Sequence, residues 1–368
     1  MRSTRYALIG TSTFLVFLFF FIHQVSDYGE SSQHISGDKN DEQYGQHTRE
    51  NATFVTLARN SDLENLLQSV QSVEDRFNSK YHYDWVFLNN ENFSDEFKVR
   101  MESLISGQVK FGKIPEKHWS VPDYVDKDKA KEEMKKMEEN NIIYGGSEPY
   151  RHMCRFESGF FFHHPLMQDY RYYWRVEPET HLFCDINYDV FKYMRENNKK
   201  YGWTISITEF KSTIETLWRT TLEFLFDHKE YLHPNRLQEF VTNSNLEDYN
   251  LCHFWSNFEV ADMEFWRAKP YQDYFNYLDK SGGFFYERWG DAPVHSIAAS
   301  LFMDRDEIHF FDDIGYRHPP FHHCPTNQTE KGLSCSCLPQ GSFDFHESSC
   351  LRVYLKAKEI PFTEPGKE

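Results

Sequence analysis

Basic residues are scarce in this chain of 368 residues. Lys and Arg number 40 against 57 Asp and Glu, which gives a formal net charge of −17 at pH 7. Because proteins that bind nucleic acids generally present basic surfaces to phosphate groups, this deficit argues against a nucleic-acid partner. The hydrophobic fraction of 39% and the charged fraction of 26% are ordinary for a globular protein, so wholesale disorder is excluded as well.

Glycine-rich phosphate loops are also lacking. Neither a Walker motif nor a dinucleotide-binding fingerprint occurs, so these two common modes of nucleotide binding are not indicated. No internal repeat is found, which argues against repeat architectures. Aromatic residues, in contrast, are abundant, with 34 Phe, 22 Tyr and 8 Trp. That much ring surface suits a large core or a cleft that stacks on sugars and bases.

The longest apolar run lies near the N-terminus and is short for a membrane span. Residues 7–22 would extend about 24 Å as a helix, against a hydrocarbon core of about 30 Å. Such a helix could still cross a thin early-secretory bilayer. Arg2 and Arg5 precede the run and acidic residues follow it. The positive-inside rule therefore predicts a cytosolic tail at 1–6, a transmembrane signal anchor at 7–22 and a lumenal remainder.

A cleaved signal peptide is the alternative interpretation of this run. No clean small-residue cleavage pattern follows Ile22, which favours an uncleaved anchor. Residues 23–51 are polar and lack hydrophobic periodicity, which predicts a flexible lumenal stem. A folded lumenal domain would then occupy residues 52–368.

The cysteines are consistent with an oxidising compartment. Four of the seven crowd the C-terminal region, where they could form two disulfides within the tail in any of three pairings. One thiol would then be left over among the three earlier cysteines. The tail group is Cys324, Cys335, Cys337 and Cys350, and the earlier group is Cys154, Cys184 and Cys252.

Strand and helix patterns alternate from residue 53 onwards. A β-branched and aromatic run at 53–57 is followed by a polar turn, a periodic helix at 62–77 and a second strand at 85–88. This alternation predicts a parallel-sheet α/β domain with ligands at the C-terminal ends of the strands. Further predicted elements are a charged amphipathic helix at 126–141, strands at 142–144, 172–176 and 204–207, and a long helix at 213–228.

Two glutamates at the end of one predicted strand form the clearest candidate site. Glu177 and Glu179 follow the strand at 172–176, where carboxylates could hold a hard divalent cation beneath a diphosphate. Nucleotide-sugar transferases of the GT-A kind place an acidic DxD pair at this position. Literal DxD sequences occur at 126–128 and 304–306, but an acidic chain produces them by chance, and surface carboxylates are the simpler interpretation.

Other candidates act together only if the fold assembles them. Glu259 follows aromatic residues that could tune its charge, and Asp291 and His318 lie in turn-rich segments. Each of them alone is more often structural than functional. Four arginines could neutralise phosphates or form surface ion pairs: Arg59, Arg151, Arg155 and Arg175.

Five long stretches, in order along the chain, resemble one known family. They are residues 150–155 (YRHMCR), 173–178 (YWRVEP), 252–259 (CHFWSNFE), 287–296 (ERWGDAPVHS) and 315–320 (GYRHPP). In these stretches the chain is similar to the fungal α-1,2-mannosyltransferases of glycosyltransferase family 15, which are Golgi type II membrane enzymes. The resemblance covers roughly residues 53–324.

The resemblance implies a fold, a reaction and a compartment. The fold would be a GT-A-like single catalytic domain over residues 52–368, with a mixed, mainly parallel central sheet flanked by helices. The reaction would move mannose from GDP-mannose to a mannosylated glycoprotein or oligosaccharide acceptor, with retention at C1 and with Mn²⁺ as cofactor. The catalytic domain would lie in the Golgi lumen.

The resemblance also implies roles for individual residues. Glu177 and His318 match the metal ligands, and Glu259 matches the proposed catalytic nucleophile. Retention would need either a covalent mannosyl-Glu259 or a same-face attack in which the departing phosphate takes the acceptor proton, and the sequence leaves both open.

Four further positions match residues around the donor substrate. Tyr150 and Arg175 would line the reaction centre and the donor diphosphate, Asp291 would help to hold mannose, and Arg59 would touch the guanine nucleotide. The segment that matches around Arg59 is short.

Two other functions are compatible with the same residues. A retaining glycoside hydrolase could use Glu177 and Glu259 as acid and nucleophile, without a metal or a nucleotide. A membrane-tethered lectin could bind mannan through aromatic side chains and leave it unchanged.

Overall fold

The computed structural model describes residues 48–243 and 245–362. The predicted cytosolic tail at 1–6, the anchor at 7–22 and the stem at 23–51, apart from its last four residues, lie outside this part of the chain. Within it, no helix combines the length and hydropathy that a membrane span requires. All described residues fall within one compact unit.

Twelve strands and thirteen α-helices make up the regular structure of the described residues. The strands are β1 (Ala52–Leu57), β2 (Asp84–Asn89), β3 (Val109–Lys113), β4 (Tyr172–Arg175), β5 (His181–Leu182), β6 (Tyr201–Trp203), β7 (Ser206–Thr208), β8 (Cys252–Phe254), β9 (Glu259–Asp262), β10 (Ile308–Phe310), β11 (Tyr316–His318) and β12 (Phe321–His323). The helices are α1 (Leu63–Val73), α2 (Ser79–Tyr81), α3 (Asp95–Leu104), α4 (Lys127–Glu139), α5 (Glu148–Gly159), α6 (Val190–Glu196), α7 (Leu217–Asp227), α8 (Gln238–Val241), α9 (Met263–Arg267), α10 (Lys269–Ser281), α11 (Gly283–Tyr286), α12 (Asp291–Phe302) and α13 (Leu351–Ala357).

Seven strands form the central sheet, in the order β10-β6-β9-β4-β1-β2-β3. Six of them run parallel, and β9 is antiparallel to both of its neighbours. The predicted mixed, mainly parallel sheet is therefore confirmed. Two small sheets, β12-β11-β5 and β7-β8, lie beside it.

The sheet is buried on both faces because its strands carry large apolar side chains at successive positions. In β1, Phe54 and Val55 point to opposite faces and belong to two separate core clusters. Phe54 stacks on Trp85 of the neighbouring strand at a centroid distance of 4.5 Å. Helices cover the two faces: α1, α3 and α6 pack on one, and α5, α10 and α12 on the other.

The strand register brings the predicted site residues to one edge of the sheet. Val55 of β1 pairs with Arg175, the last residue of β4, and Arg175 pairs with Glu259, the first residue of β9. The ends of two parallel strands and the start of an antiparallel strand therefore meet at the same level. This edge is where ligands bind in open α/β sheets.

Several elements differ from the sequence predictions. Residues 142–144 form turns, because Gly145 N–H donates to the carbonyl of Ile142 and Tyr144 adopts a positive φ of 55°. The helix predicted at 213–228 begins only at Leu217, after a 3₁₀ turn. The strand predicted at 204–207 is confirmed only at residues 206–207, which belong to β7, because residues 204–205 form a bend between β6 and β7. The strands at 53–57, 85–88 and 172–176 and the helices at 62–77 and 126–141 are confirmed within a few residues. The helix at 62–77 is α-helical as far as Val73 and continues as a π-helical turn over Glu74–Asn78.

The disulfide prediction is wrong for two of the three bonds. Only Cys324–Cys337 lies within the tail, whereas Cys335 pairs with Cys184 and Cys350 pairs with Cys252. The physical reason is that the tail packs against the domain instead of folding on itself. Cys335 forms a β-bridge with Cys184, and the N–H of Cys350 donates to the carbonyl of Ser206, next to β8. The leftover thiol among the earlier cysteines is confirmed as Cys154.

The disulfide Cys252–Cys350 should contribute more to the free energy of unfolding than the local disulfide Cys324–Cys337. Cys252 and Cys350 are 98 positions apart, and Cys324 and Cys337 are 13 apart. In the loop-closure description these separations correspond to about 4.7 and about 3 kcal/mol of unfolding free energy. We expect the Cys252→Ala/Cys350→Ala double variant to lose more than the Cys324→Ala/Cys337→Ala variant in guanidinium denaturation. A larger loss for the second pair would contradict this ranking.

Candidate active site

Arg175 is the centre of the candidate site. Its side chain is 8% exposed, and its Nη1 donates to Asp291 Oδ2 over 2.6 Å. Its Nη2 donates to Glu177, two residues beyond the end of β4. Ser256 Oγ donates to the same oxygen of Asp291 over 2.7 Å. Residues from β4, from the segment before β9 and from the start of α12 are thus joined in one buried network.

The charges of this network stabilise one another. Burial alone would lower the pKa of Arg175, but the surrounding carboxylates, led by Glu177, raise it well above its ordinary value. Burial would raise the pKa of Glu177, yet Arg175 and His318 lower it to about 2. The pKa of Asp291 is lowered in the same way by Arg175 and His295, against the effect of burial. Both carboxylates are therefore ionised at neutral pH.

Glu177 and His318 present a donor pair that suits a divalent cation. His318 Nε2 lies 3.5 Å from Glu177 Oε2. The other ring nitrogen, Nδ1, lies 3.0 Å from the carbonyl of Pro319, so an Nδ1–H can donate there and leave the Nε2 lone pair for a metal. Carboxylate oxygens and imidazole nitrogens are both common ligands of divalent cations in proteins. Within the described residues, no group of three or more His, Cys, Asp or Glu side chains forms a metal site, so diphosphate oxygens and water would complete the coordination.

Glu259 lies in a second buried network next to Arg175. Its side chain is 1% exposed and accepts hydrogen bonds from the hydroxyl groups of Tyr173 and, over 3.3 Å, Tyr201. His295 Nδ1 lies 3.1 Å from both carboxylate oxygens. The ring of His295 stacks on Trp266 at 4.3 Å, which fixes its orientation.

Glu259 also sets the charge of His295. Burial would lower the pKa of this imidazole, but the carboxylates of Glu259 and Asp291 outweigh that effect and raise the pKa. The raised pKa favours the protonated form of His295, which would form a buried ion pair with Glu259. Both oxygens of Glu259 are occupied by donors, which holds the carboxylate in one orientation at the edge of the sheet.

Tyr150 lies at the start of α5, beside the cluster. Its ring stacks on Tyr144 at 4.3 Å, and the guanidinium of Arg288 lies over it at 5.2 Å. Burial raises the pKa of Tyr150 well above its ordinary value, so its hydroxyl group is neutral. Such a hydroxyl can donate or accept a hydrogen bond but does not act as an anion.

Arg59 is at the same edge of the sheet but outside the cluster. It follows the end of β1, and its exposed guanidinium pairs with Asp62 over 2.9 Å. None of its described contacts is with the cluster of Arg175. Asp62 therefore holds the guanidinium of Arg59, and the contact of Arg59 with the guanine nucleotide stays a prediction.

The other sequence candidates have structural roles. Asp126 caps α4 by accepting from the N–H groups of Asp128 and Lys129, and Asp304 accepts from the N–H of Asp306. The two literal DxD sequences are therefore helix and turn caps.

Two of the four candidate arginines are also structural. Arg151 donates to backbone carbonyls, among them that of Glu287 over 3.0 Å. Arg155 forms a bidentate ion pair with Asp279. Neither contacts the cluster of Arg175.

Several residues of the site were not singled out from the sequence. Tyr173, Ser256 and His295 lie inside the stretches that carry the family resemblance, so that signal could have pointed to them. Glu157 lies two residues beyond the stretch 150–155, and only its spacing of seven from Tyr150 on a helix could have indicated it. Tyr201 lies outside all five stretches.

A family model described as glycolipid 2-alpha-mannosyltransferase matches residues 23–359. The chain belongs to this family. The resemblance to glycosyltransferase family 15 is thereby confirmed. The match spans every element of the central sheet and all the site residues described above.

Curated relatives are similar over most of their length. The chain is 56% identical over 316 residues to O-glycoside alpha-1,2-mannosyltransferase omh1 of Schizosaccharomyces pombe. The aligned residues cover 86% of this chain and 81% of that protein. The chain is 56% identical over 314 residues to alpha-1,2 mannosyltransferase KTR1 of Saccharomyces cerevisiae, with coverages of 85% and 80%.

Solved structures of two related mannosyltransferases share the fold. The structure of Ktr4p from S. cerevisiae in complex with GDP superimposes with a TM-score of 0.80 at 38% identity, over 89% of this chain and 86% of that one. Core-mannan synthase A from Aspergillus fumigatus, in an Mn/GDP form, gives a TM-score of 0.81 at 37% identity, over 90% and 92%. The GT-A-like fold predicted from the sequence is confirmed.

Proposed function

We propose that the protein transfers mannose from GDP-mannose to a mannosyl acceptor, with an α-1,2 linkage and retention at C1. One observation carries the proposal: segments far apart in the chain place Glu177, His318, Arg175, Asp291 and Glu259 at one edge of the sheet. The names of the relatives and the GDP and Mn/GDP complexes support the same reaction.

The chemistry requires that GDP leaves as a polyanion. Mn²⁺, held by Glu177 and His318, would neutralise the diphosphate charge that develops as the bond to C1 breaks. Arg175 lies beside Glu177 and can donate to a phosphate oxygen when the donor binds. A preorganised group of this kind typically contributes about 3 kcal/mol to the stabilisation of a transition state. Asp291, which accepts hydrogen bonds from Arg175 and Ser256, would accept a further one from a mannose hydroxyl.

The environment of Glu259 favours one of the two retaining routes. A covalent route would need a carboxylate lone pair that faces C1, and the donors Tyr173, Tyr201 and His295 already take three of the roughly four lone-pair positions of Glu259. The same-face route needs only a fixed negative charge near an oxocarbenium-like C1. We therefore assign Glu259 an electrostatic role beside the reaction centre. A mannosyl adduct on Glu259, detected by mass spectrometry of the quenched reaction, would contradict this assignment.

One assay separates this function from its two alternatives. The full chain in detergent is incubated with GDP-mannose, Mn²⁺ and a methyl α-mannoside, and the products are analysed by mass spectrometry. We expect a product that is one hexose heavier and that disappears when EDTA removes the metal. Cleavage of α-mannosides in EDTA would indicate a hydrolase, and binding without any product would indicate a lectin.

We further propose that residues 7–22 anchor the protein in the Golgi membrane with the catalytic domain in the lumen. Three disulfides within the described residues support an oxidising compartment. Alkaline carbonate extraction of membranes tests the anchor. Release of the intact chain into the soluble fraction would contradict it.

A further inference from the structure

Glu157 is a buried carboxylate that none of the roles above uses. It lies on α5 and is 4% exposed. Its closest charged partner is Arg175, whose Nη1 is 3.9 Å from Glu157 Oε2, too far for a hydrogen bond. Within residues 48–243 and 245–362, no donor forms a hydrogen bond to this carboxylate.

A second buried glutamate shows what a structural carboxylate looks like in this protein. Glu74 is also 4% exposed, but it accepts hydrogen bonds from Asn78 Nδ2 over 2.7 Å, Trp85 Nε1 over 3.0 Å and the N–H of Ser106 over 3.2 Å. Burying a carboxylate without such donors is costly. Glu157 therefore has an unused capacity to accept hydrogen bonds, which a structural role would have filled.

The position of Glu157 is on the face of α5 that meets the site. Tyr150, Cys154 and Glu157 are spaced by four and three residues, which places them on one side of the helix. Cys154 is fully buried, and burial together with the carboxylate of Asp291 raises the pKa of its thiol, which is consistent with a position near the start of α12. Glu157 is thus close to both Arg175 and Asp291.

Electrostatics support a ligand-binding role. Burial raises the pKa of Glu157 to about 7, although Arg175 acts in the opposite direction, and the nearby carboxylates of Asp291, Glu177 and Glu259 add to the increase. A desolvated carboxyl group surrounded by other carboxylates destabilises the unliganded protein. Ionisable groups whose pKa is shifted by burial and by nearby charges are common at functional sites.

We propose that Glu157 binds the transferred mannose by accepting a hydrogen bond from one of its hydroxyl groups. The inference rests on the proposed function. A phosphate would be repelled by this carboxylate, whereas a sugar hydroxyl is a neutral donor. The donor mannose is the sugar concerned, because Glu157 shares Arg175 with Asp291, which is placed to hold that sugar.

Deoxygenated donors test this contact directly. Values of kcat/KM are measured for wild type and Glu157→Ala with GDP-mannose and with its 2-, 3-, 4- and 6-deoxy analogues. For one analogue we expect wild type to lose about 10- to 100-fold, the strength of a hydrogen bond to a charged group. With GDP-mannose, Glu157→Ala should lose a similar factor in kcat/KM. Replacing GDP-mannose by that analogue should then reduce kcat/KM of Glu157→Ala almost no further. Two results would overturn the proposal. One is that the loss in kcat/KM from Glu157→Ala and the loss from deoxygenation multiply for every deoxy donor. The other is that the two losses fail to multiply only when the acceptor, instead of the donor, is deoxygenated.

A second variant guards against a purely structural explanation. Glu157→Gln keeps the shape of the side chain, so GDP affinity and the melting temperature should be unchanged or higher, while kcat/KM with GDP-mannose falls. Glu148 lies on the same helix with its side chain 44% exposed, and Glu148→Gln should leave GDP affinity, melting temperature and kcat/KM at wild-type values. A lower melting temperature together with weaker GDP binding in Glu157→Gln would show a structural role and overturn the proposal. Failure of wild type to transfer mannose would instead refute the proposed function.

Discussion

Glu177→Ala is expected to reduce Mn²⁺-dependent mannosyl transfer by about 10³-fold. The substitution removes a proposed metal ligand and the group that holds Arg175 Nη2 in place. The fold should persist, because Arg175 keeps its 2.6 Å hydrogen bond to Asp291 and its proximity to Glu157. The measurements are the transfer rate as a function of Mn²⁺ concentration and the far-ultraviolet circular dichroism spectrum.

The matched control is a carboxylate from a literal DxD sequence. Asp128 is exposed on α4 and has no contact with the cluster. Asp128→Asn should therefore transfer mannose at the wild-type rate. Wild-type rates in Glu177→Ala would remove Glu177 from the metal site, and a strong loss in Asp128→Asn would show that the true acidic pair lies on α4.

Glu259→Gln is expected to bind GDP with unchanged affinity and to lose about 10²- to 10³-fold in kcat. Glutamine fills the same space, but it removes the negative charge of Glu259, which Tyr173, Tyr201 and His295 surround and which we propose lies near C1. The nucleotide contacts proposed for Arg175 and Glu177 are not altered. Calorimetric titration with GDP and Mn²⁺, combined with steady-state kinetics, separates the two effects.

Glu74→Gln controls for the cost of replacing a buried glutamate. Glu74 is bound by Asn78, Trp85 and Ser106 on the opposite side of the sheet, in the cluster that contains Phe54. We expect Glu74→Gln to lower the melting temperature and to leave kcat unchanged. An unchanged turnover number in Glu259→Gln would exclude Glu259 from the mechanism.

Local pattern was sufficient for three of the seven strands of the central sheet, namely β1, β2 and β4. The strands at 53–57, 85–88 and 172–176 are runs of β-branched and aromatic residues, and such runs are recognisable because both faces of the sheet are buried. The turn at 142–144 was mistaken for a strand for the same reason: Ile142, Ile143 and Tyr144 are apolar or aromatic. Gly145 and Gly146, which follow them, allow the chain to turn, and Ile143 and Tyr144 remain exposed.

The residues of the site were predictable where they lie in long stretches shared with the family. Glu177, His318, Arg175 and Asp291 come together as the resemblance implied. Arg59, at the end of a short matching segment, has no contact with them. Their individual roles in transfer remain proposals for the variants above to test.

Family membership, the α/β class and the acidic strand end could all be read from the linear order of residues, because each depends on short-range periodicity or on long runs of matching identity. The pairing of Cys184 with Cys335 and of Cys252 with Cys350, the donors that surround Glu259, and the unfilled carboxylate of Glu157 depended on packing. These contacts join positions up to 151 residues apart, and chain folding alone decides which distant side chains become neighbours.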